Sequence, residues 1–443
     1  MNRDPAIRDV LEAVFRAALA AIEPAAAVRR HVARDADGAI RVAGEPLAAG
    51  ARVWLLAAGK AAAPMAQAVE ACLAERLTGG LVVVPDGHGL ALSRVQTCEA
   101  AHPVPDARCE GAARRAQALV DSVAPGDVLI VLLSGGASSL LSCPVPGLAL
   151  EDLAATTAAL LEGGAAIDAL NAVRKHLSDS AGGRLALRAR GARVEVLVIS
   201  DVPDDRIDVI ASGPFAGDLS SYRDALDVVA ACGARKRLPA RALAHLEAGA
   251  RGEREETPDP GDARLRRVRH TLIACNATAL DAARRASAGL GLRPVRVTEQ
   301  LRGEARAAGT HLGALCGALR ADTPVCLLAG GETVVHVRGS GRGGRNQELA
   351  LAAALALEGQ GGCALLAAGT DGRDGPTDAA GAFADGGSVA RGRARGRDAR
   401  AALDDNDAYG FFSAEGGLFR TGPTRTNVMD LALAYVDPAA KSR

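Results

Sequence analysis

Lysine is almost missing from this 443-residue chain: of 52 basic residues only Lys60, Lys175, Lys236 and Lys441 are not arginine. An ammonium is a compact point charge that the arginine fork cannot copy, so a lysine inside a motif is informative here. Lys236 falls in a loop and Lys441 in the tail. Neither sign of charge is in excess, with 52 basic residues against 52 acidic ones. Nucleic acid or an anionic membrane would need a basic surplus to neutralise phosphates. Aromatic residues are only 2% of the chain, which leaves little on which to stack bases. A run of about 18 apolar residues is absent, so no segment is expected to span a membrane. The N-terminal stretch, charged at its start, reads as an amphipathic helix without the apolar core and cleavage site of a signal peptide. The nine cysteines are scattered, odd in number and form no C-x-x-C pair, which argues against a zinc site or a disulfide framework. A reduced, cytoplasmic setting is the expectation.

What is present is the balance of a globular protein, 49% apolar and 23% charged, long enough for two or three domains. Short apolar runs alternate with helical patterns. Strands are expected at 53–57, 81–84, 128–133, 194–199, 271–274, 295–298, 325–329, 334–337 and 364–367. Most are continuous apolar runs, as strands covered on both faces require. Ala-rich segments at 61–75, 111–122, 151–162 and 349–358 read as helices between them. This order implies an α/β protein: a Rossmann-like, mostly parallel sheet in an N-terminal lobe and a second α/β domain. The charged, Pro- and Gly-rich stretch 249–267 reads as a linker or long loop, dividing the chain into domains at 1–248 and 268–443. The simplest architecture is two lobes meeting at a cleft.

Four glycine-rich loops follow expected strands, where open α/β sheets bind ligands. In the first, Gly59 and Lys60 open a helix, a place that suits a phosphate. It is not a Walker loop, since Trp54 and Ala61 stand where Gly and a hydroxyl belong. The second, Ser134-Gly135-Gly136-Ala137-Ser138-Ser139, supplies close backbone approach and three hydroxyls. A plain strand-to-helix turn accounts for the glycines and one serine, but not for all three. In the third, Gly339 to Gly344 match G-x-G-x-x-G, yet no acidic residue closes a second strand about 20 positions on. Arg345, Asn346, Gln347 and Glu348 crowd the helix start instead, and a guanidinium there can grip a carboxylate or a phosphoryl group. The fourth carries Asp371, Asp374 and Asp378, of which one or two could serve magnesium. As turn formers, these residues are also ordinary.

Two further segments carry polar groups. Asn171, Arg174, Lys175 and His176 follow one another in NAVRKH, with Asn171 and Lys175 on one helix face. Asp201 ends a strand, where α/β enzymes often place a metal ligand or base. His88 and His102 lie in turn-like contexts, and no Ser–His–Asp order or H-E-x-x-H motif can be assembled.

Taken together, AAGKAA, HPVPD, LSGGASSLL, NAVRKHLSDSAGGRLA, SDVPDDRIDVIASGP, GGETVVHVRGSGRGGRNQELAL, GTDGRDGPTDAAGA and TGPTRTNVMDL resemble the class II glycerate 2-kinases. That family pairs a glycerate-kinase N-terminal domain with a C-terminal MOFRL domain, and many members were long labelled hydroxypyruvate reductases. The eight strings keep the family's order from about Glu12 to Asp430, nearly the whole chain. The resemblance implies ATP-dependent phosphorylation of D-glycerate at its 2-hydroxyl, giving 2-phosphoglycerate and ADP, with a divalent metal such as Mg2+. It also implies an active site between the two domains. Carried over by motif, Lys60 and Arg345 are the catalytic cations. The loop from Ser134 through Gly135, Gly136, Ser138 and Ser139, with Asn171, Arg174 and Lys175, would line the substrate and phosphate region, joined by Asn346 and Glu348. Asp201 and Asp371 are the candidate metal ligands, Asp201 doubling as catalytic base. Either Arg174 or Arg345 could hold the glycerate carboxylate.

Four positions depart from the family pattern. Ala181 stands where a lysine is usual, Asp204 and Arg425 where glycine is usual, and Met429 where asparagine is usual. The competing reading is an NAD(P)H-dependent hydroxypyruvate reductase, favoured by the G-x-G-x-x-G match and the older label. A binding module without turnover is a further alternative. The expected partners are glycerate and a nucleotide, with no nucleic acid and no membrane; a homo-oligomer stays open.

Overall fold

The structure, a computed structural model, describes residues 5–437, so the tail lysine Lys441 lies outside the described residues. The chain divides into two compact units, one from Pro24 to Ile273 and the other combining residues up to Glu23 with those from Ala274 onward.

The first unit opens with a small antiparallel sheet of β1 (Val32–Arg34), β2 (Ile40–Val42) and β3 (Glu45–Pro46). Its main sheet contains β4 (Val53–Ala58), β5 (Leu77–Pro85), β6 (Gln96–Ala100), β7 (Val128–Leu133), β8 (Arg193–Ile199) and β9 (Val268–Ala274). They lie in the order β6-β5-β4-β7-β8-β9, and every pair from β6 to β8 is parallel. All six residues of β7 are buried, and β4 is buried at five of six positions. Helices cover the sheet, which is why these strands read as unbroken apolar runs. Residues of β4, β5, β7 and β8 form one core with the helix Ala107–Asp121. That helix starts at Asp106, whose carboxylate accepts from the amides of Arg108 and Cys109. From β4 the chain steps out through β5 to β6, then returns to β7 on the other side of β4. This is a topological switch point. A second core joins the helices Leu150–Glu162, Ile167–Leu177, Tyr222–Ala231 and Ala240–Ala250.

The other unit holds β10 (Arg293–Leu301), β11 (Val325–Gly331), β12 (Cys363–Gly369), β13 (Gly381–Asp385), β14 (Leu418–Phe419) and β15 (Asp430–Val436). Their order is β10-β11-β15-β12-β13-β14, with only β10 and β11 parallel. The last strand is therefore threaded between β11 and β12, where its apolar residues are buried from both faces. The helix Pro5–Ala21 packs on this unit against the helix Asn276–Gly289, β12 and β15.

Three expectations differ from this arrangement. The N-terminal helix belongs with the C-terminal unit, because its apolar face is buried there. The stretch 249–267 is not a linker between the units: Thr257 is buried, and a side chain on Gly183 would run into Pro258. This stretch seals the first unit and leads into β9. Residues 334–337 form no strand; only Val334 makes an isolated bridge, to Glu304, while Val337 is 77% exposed. Beside β11, the place such a strand would need is filled by β15.

Candidate functional site

In the first unit the loops after β4 and β7 meet at the switch point, and glycine lets them meet. Gly59 has φ 122°, and any Cβ there would collide with Ser134. The Lys60 amide donates to the Gly135 carbonyl at 2.9 Å, and the Ala61 amide donates to Ser134 Oγ at 3.0 Å. Ser134 thus pins the start of the helix Ala62–Leu73, and Ser139 donates to the Gly136 carbonyl at 3.0 Å. These two hydroxyls shape the loop.

The adjacent glycines are each covered by a different side chain. A Cβ on Gly135 would strike the Asp201 carboxylate, which projects from the end of β8. A Cβ on Gly136, where φ is 89°, would lie 2.9 Å from His102 Nε2 and 3.6 Å from Lys60 Cγ. Lys60, Asp201 and the Gly135–Gly136 turn therefore form one constellation at the ends of β4, β7 and β8. His102, read from sequence as a turn residue, belongs to it as well. Burial, then the charges of Lys60 and His88, hold His102 below the ordinary histidine range. The signal for His102 was its place in the HPVPD string, just beyond β6.

The NAVRKH string splits between two cavities. Asn171 and Lys175 line one of about 250 Å³, where the buried Lys175 pairs with Asp218 at 3.1 Å and Asp208 at 3.5 Å. Its charge is already answered, so Lys175 is tied into the protein's own network rather than held out for a phosphate. Arg174 lines a separate cavity of about 30 Å³, together with Ser138, Ser178, Ser180, Ala181 and Ser212. Ala181, where the family's lysine is usual, leaves that wall without a second cation.

The second constellation lies in the other unit. Arg345 opens the helix Arg345–Ala356, and its Nε and Nη2 bind the two oxygens of Asp430 at 2.5 and 2.9 Å. Its Nη1 lies 2.7 Å from Glu332. Asp374 caps the same helix, accepting from the amides of Asn346 and Gln347 at 3.0 and 2.8 Å. Burial pushes its carboxyl up to about 6, against those two donors and Arg345. The Asn346 side chain also donates to Asp374, and Glu348 accepts from Arg306 and Asn406. Both Asn346 and Glu348 are buried in this network, although Glu348 also reaches a pocket of about 600 Å³ walled by Val334, Val335 and Val337.

Asp371 accepts from the Arg373 amide at 3.0 Å. Its carboxylate and that of Asp430 both crowd Gly369, at 3.2 and 3.4 Å from where a Cβ would sit. Among the described residues, no group of three or more His, Cys, Asp and Glu side chains could hold a metal. Magnesium is satisfied by one or two carboxylates plus phosphate oxygens, so single residues such as Asp371 or Asp201 fit its chemistry.

The G-x-G-x-x-G run does not build a dinucleotide turn. A Cβ on Gly339 or Gly341 would collide with the backbone of Asp405 and Asp407. The glycines are needed for two loops to pack, and no strand precedes them.

The three other departures share a backbone cause. Asp204, Arg425 and Met429 have φ of 63°, 60° and 69°, the left-handed region that glycine, and to a lesser degree asparagine, adopts without strain.

Comparison with known proteins agrees with these motifs. Residues 10–247 match the family described as a domain of unknown function, DUF4147, and residues 325–430 match the MOFRL family. The chain is 42% identical to D-glycerate 2-kinase of Thermotoga maritima, over 87% of this chain and 91% of that protein. It is 37% identical to glycerate 2-kinase of Pyrococcus horikoshii, over 97% of each. A relative from Agrobacterium vitis that carries the hydroxypyruvate reductase name is 40% identical over 97% of this chain and 94% of its own. A crystal structure of glycerate kinase from Thermotoga maritima superposes with a TM-score of 0.86 at 38% identity, covering 98% of this chain and 100% of that one.

Proposed function

From the premise that this chain belongs to the glycerate 2-kinase family, a DUF4147 domain followed by a MOFRL domain, we propose that it transfers the γ-phosphoryl group of ATP to the 2-hydroxyl of D-glycerate. The products are 2-phosphoglycerate and ADP. The observation that carries this reading is the constellation at the switch point: Lys60, Asp201 and His102 around the Gly135–Gly136 turn.

Phosphoryl transfer asks the protein for position and for positive charge around a spreading negative one. The Lys60 ammonium supplies that charge beside the Gly135–Gly136 turn, whose glycines leave room for the Asp201 and His102 side chains. Arg345, a catalytic cation by its motif, is held in one orientation by Asp430 and Glu332 within the other unit. The glycerate 2-oxygen attacks the γ-phosphorus as the bond to the β,γ-bridging oxygen breaks, and Asp201 accepts the hydroxyl proton. Magnesium, bound through nucleotide phosphates with Asp201 or Asp371, would supply further positive charge. A cytoplasmic setting accords with ATP as co-substrate.

The reading is tested with purified protein, ATP, magnesium and D-glycerate, coupled through enolase and pyruvate kinase without a mutase so that only 2-phosphoglycerate is read. Lys60→Met should lower kcat by at least about a hundredfold while leaving the fold intact, the loss expected for one preorganised charge. NADH oxidation with hydroxypyruvate and no ADP release would overturn the assignment, as would unchanged turnover in the variant.

A further inference from the structure

The charged stretch 249–267 ends on three arginines that the kinase reading does not use, Arg264, Arg266 and Arg267. Folding sets them opposite the turn after the helix Arg184–Arg188, where Arg190 and Gly191 stand. Together they wall an open cavity of about 740 Å³ within the first unit, the size of a small-molecule site. Four of its seven lining residues are arginine and none is acidic; the other three are Leu187, Gly191 and Ala263. Guanidinium groups gathered around one space repel each other unless an anion sits between them.

The bonds these arginines make leave charge to spare. Arg264 is spent, since it binds Asp262 and Glu255 at 2.6 and 2.8 Å. Arg266 gives its Nε to the Ala263 carbonyl at 3.1 Å, and no acceptor among the described residues takes its Nη1 or Nη2. Arg190 and Arg267 meet no carboxylate among the described residues. The arginines just either side of the turn differ: Arg188 is answered by Asp121 and Asp179, and Arg193 by Glu195. Arg190 is held at φ 45° beside Gly191 at 84°. Glycine is the ordinary residue for that conformation, so an arginine there brings its charge to the rim at a backbone cost. Three uncommitted guanidinium groups thus share one space.

We propose that this cavity is a second, peripheral site that binds a compact anion of at least three negative charges, carried on phosphate or carboxylate oxygens. Each guanidinium presents a planar fork that fits either oxygen pair. The walls hold no aromatic ring on which a base would stack, so the anionic groups themselves are what is recognised. The site is distinct from the switch point. The Val194 amide donates to the Arg267 carbonyl at 2.9 Å, so the cavity lies at the start of β8, whereas Asp201 lies beyond its end. The seven residues of that strand put about 20 Å between the two, at about 3.3 Å per residue. The proposal goes beyond the kinase reading and does not rest on it.

The test is calorimetric titration of the full chain with inorganic tripolyphosphate and, separately, with citrate, which distinguishes phosphate from carboxylate as the source of charge. The double variant Arg266→Gln/Arg267→Gln should raise the Kd of the bound anion at least about tenfold, as loss of two charge-assisted contacts implies. Tripolyphosphate resembles the tail of ATP, so the signal that survives in this variant reports the kinase site and the part that is lost reports the cavity. A control double variant, Arg395→Gln/Arg400→Gln, removes the same charge from exposed arginines of the other unit and should change the Kd by less than about twofold. Arg190→Gly, which suits the left-handed backbone and so keeps the fold, should weaken the anion severalfold without lowering the Tm. In the absence of either anion, kcat and both KM values of the three variants should stay within about twofold of the parent. Binding of citrate alone or of tripolyphosphate alone, lost with Arg266 and Arg267, supports the site and names its chemistry. Failure of both anions to bind at millimolar concentration overturns it, and so does equal weakening by the cavity and control variants, which would mark attraction to net charge alone.

Discussion

Replacing Arg345 by alanine should do two separable things. The guanidinium is 30% exposed, but the Asp430 carboxylate it grips is only 3% exposed. Removing the arginine leaves that carboxylate buried and unpaired, close to an Asp374 already pushed up to about 6 by burial. Breaking a buried pair from one side costs about 3–5 kcal/mol, much more than the pair itself contributes. Arg345→Ala should therefore destabilise its unit by about that amount while also lowering kcat. A second substitution, Asp430→Asn, removes the orphaned charge, so the double variant should recover at least about 2 kcal/mol relative to Arg345→Ala, while activity stays lost. Urea titrations followed by amide exchange of β12 and β15, strands that pair with each other, read this unit locally. Trp54, the sole tryptophan, lies in the other unit and reports there by fluorescence. If the double variant is no more stable than Arg345→Ala, the buried-charge argument is wrong. Should activity return along with stability, Arg345 has no role beyond holding Asp430.

Two further outcomes follow from the backbone and the titrating groups. Arg425 is exposed at φ 60°, so Arg425→Gly should relieve about 1–2 kcal/mol of strain and lose about 0.5–1 to the freer unfolded chain. A net gain near 0.5–1 kcal/mol is expected by calorimetry; Arg425→Ala, which keeps the strain, should show none, and equal stability of the two would refute the account. His102 is held below its usual range by burial and by Lys60 and His88, so the fold favours its neutral form. That contribution is present above the unfolded value near 6.5 and is lost as pH falls through the lower folded one. His102→Gln should accordingly shrink the drop in urea midpoint between pH 7 and pH 5, and an unchanged drop would show that His102 does not resist protonation.

Much of this protein was legible before folding. Strands such as β4 and β7, buried on both faces, announce themselves as apolar runs, and the polar strings that follow them fall where parallel sheets expose loops. The α/β class, the family and most motif positions follow from such local patterns. Strands with weaker signatures escaped: β6 is largely exposed, and β14 has only two residues.

Tertiary structure decided what each charge does. Arg174 and Lys175 are neighbours in sequence, yet one faces a cavity of hydroxyls and the other is locked between Asp208 and Asp218. Arg345 meets Asp430 across 85 positions, because the last strand is inserted beside β11 and β12. His102 reaches Gly136 only once the chain has reversed around β4. Local pattern sets which residues enter strands and helices, since that depends on propensity and apolar spacing. Whether a cation is neutralised or left to bind an anion depends on which distant carboxylate the fold brings to it, and no window of sequence contains that distance.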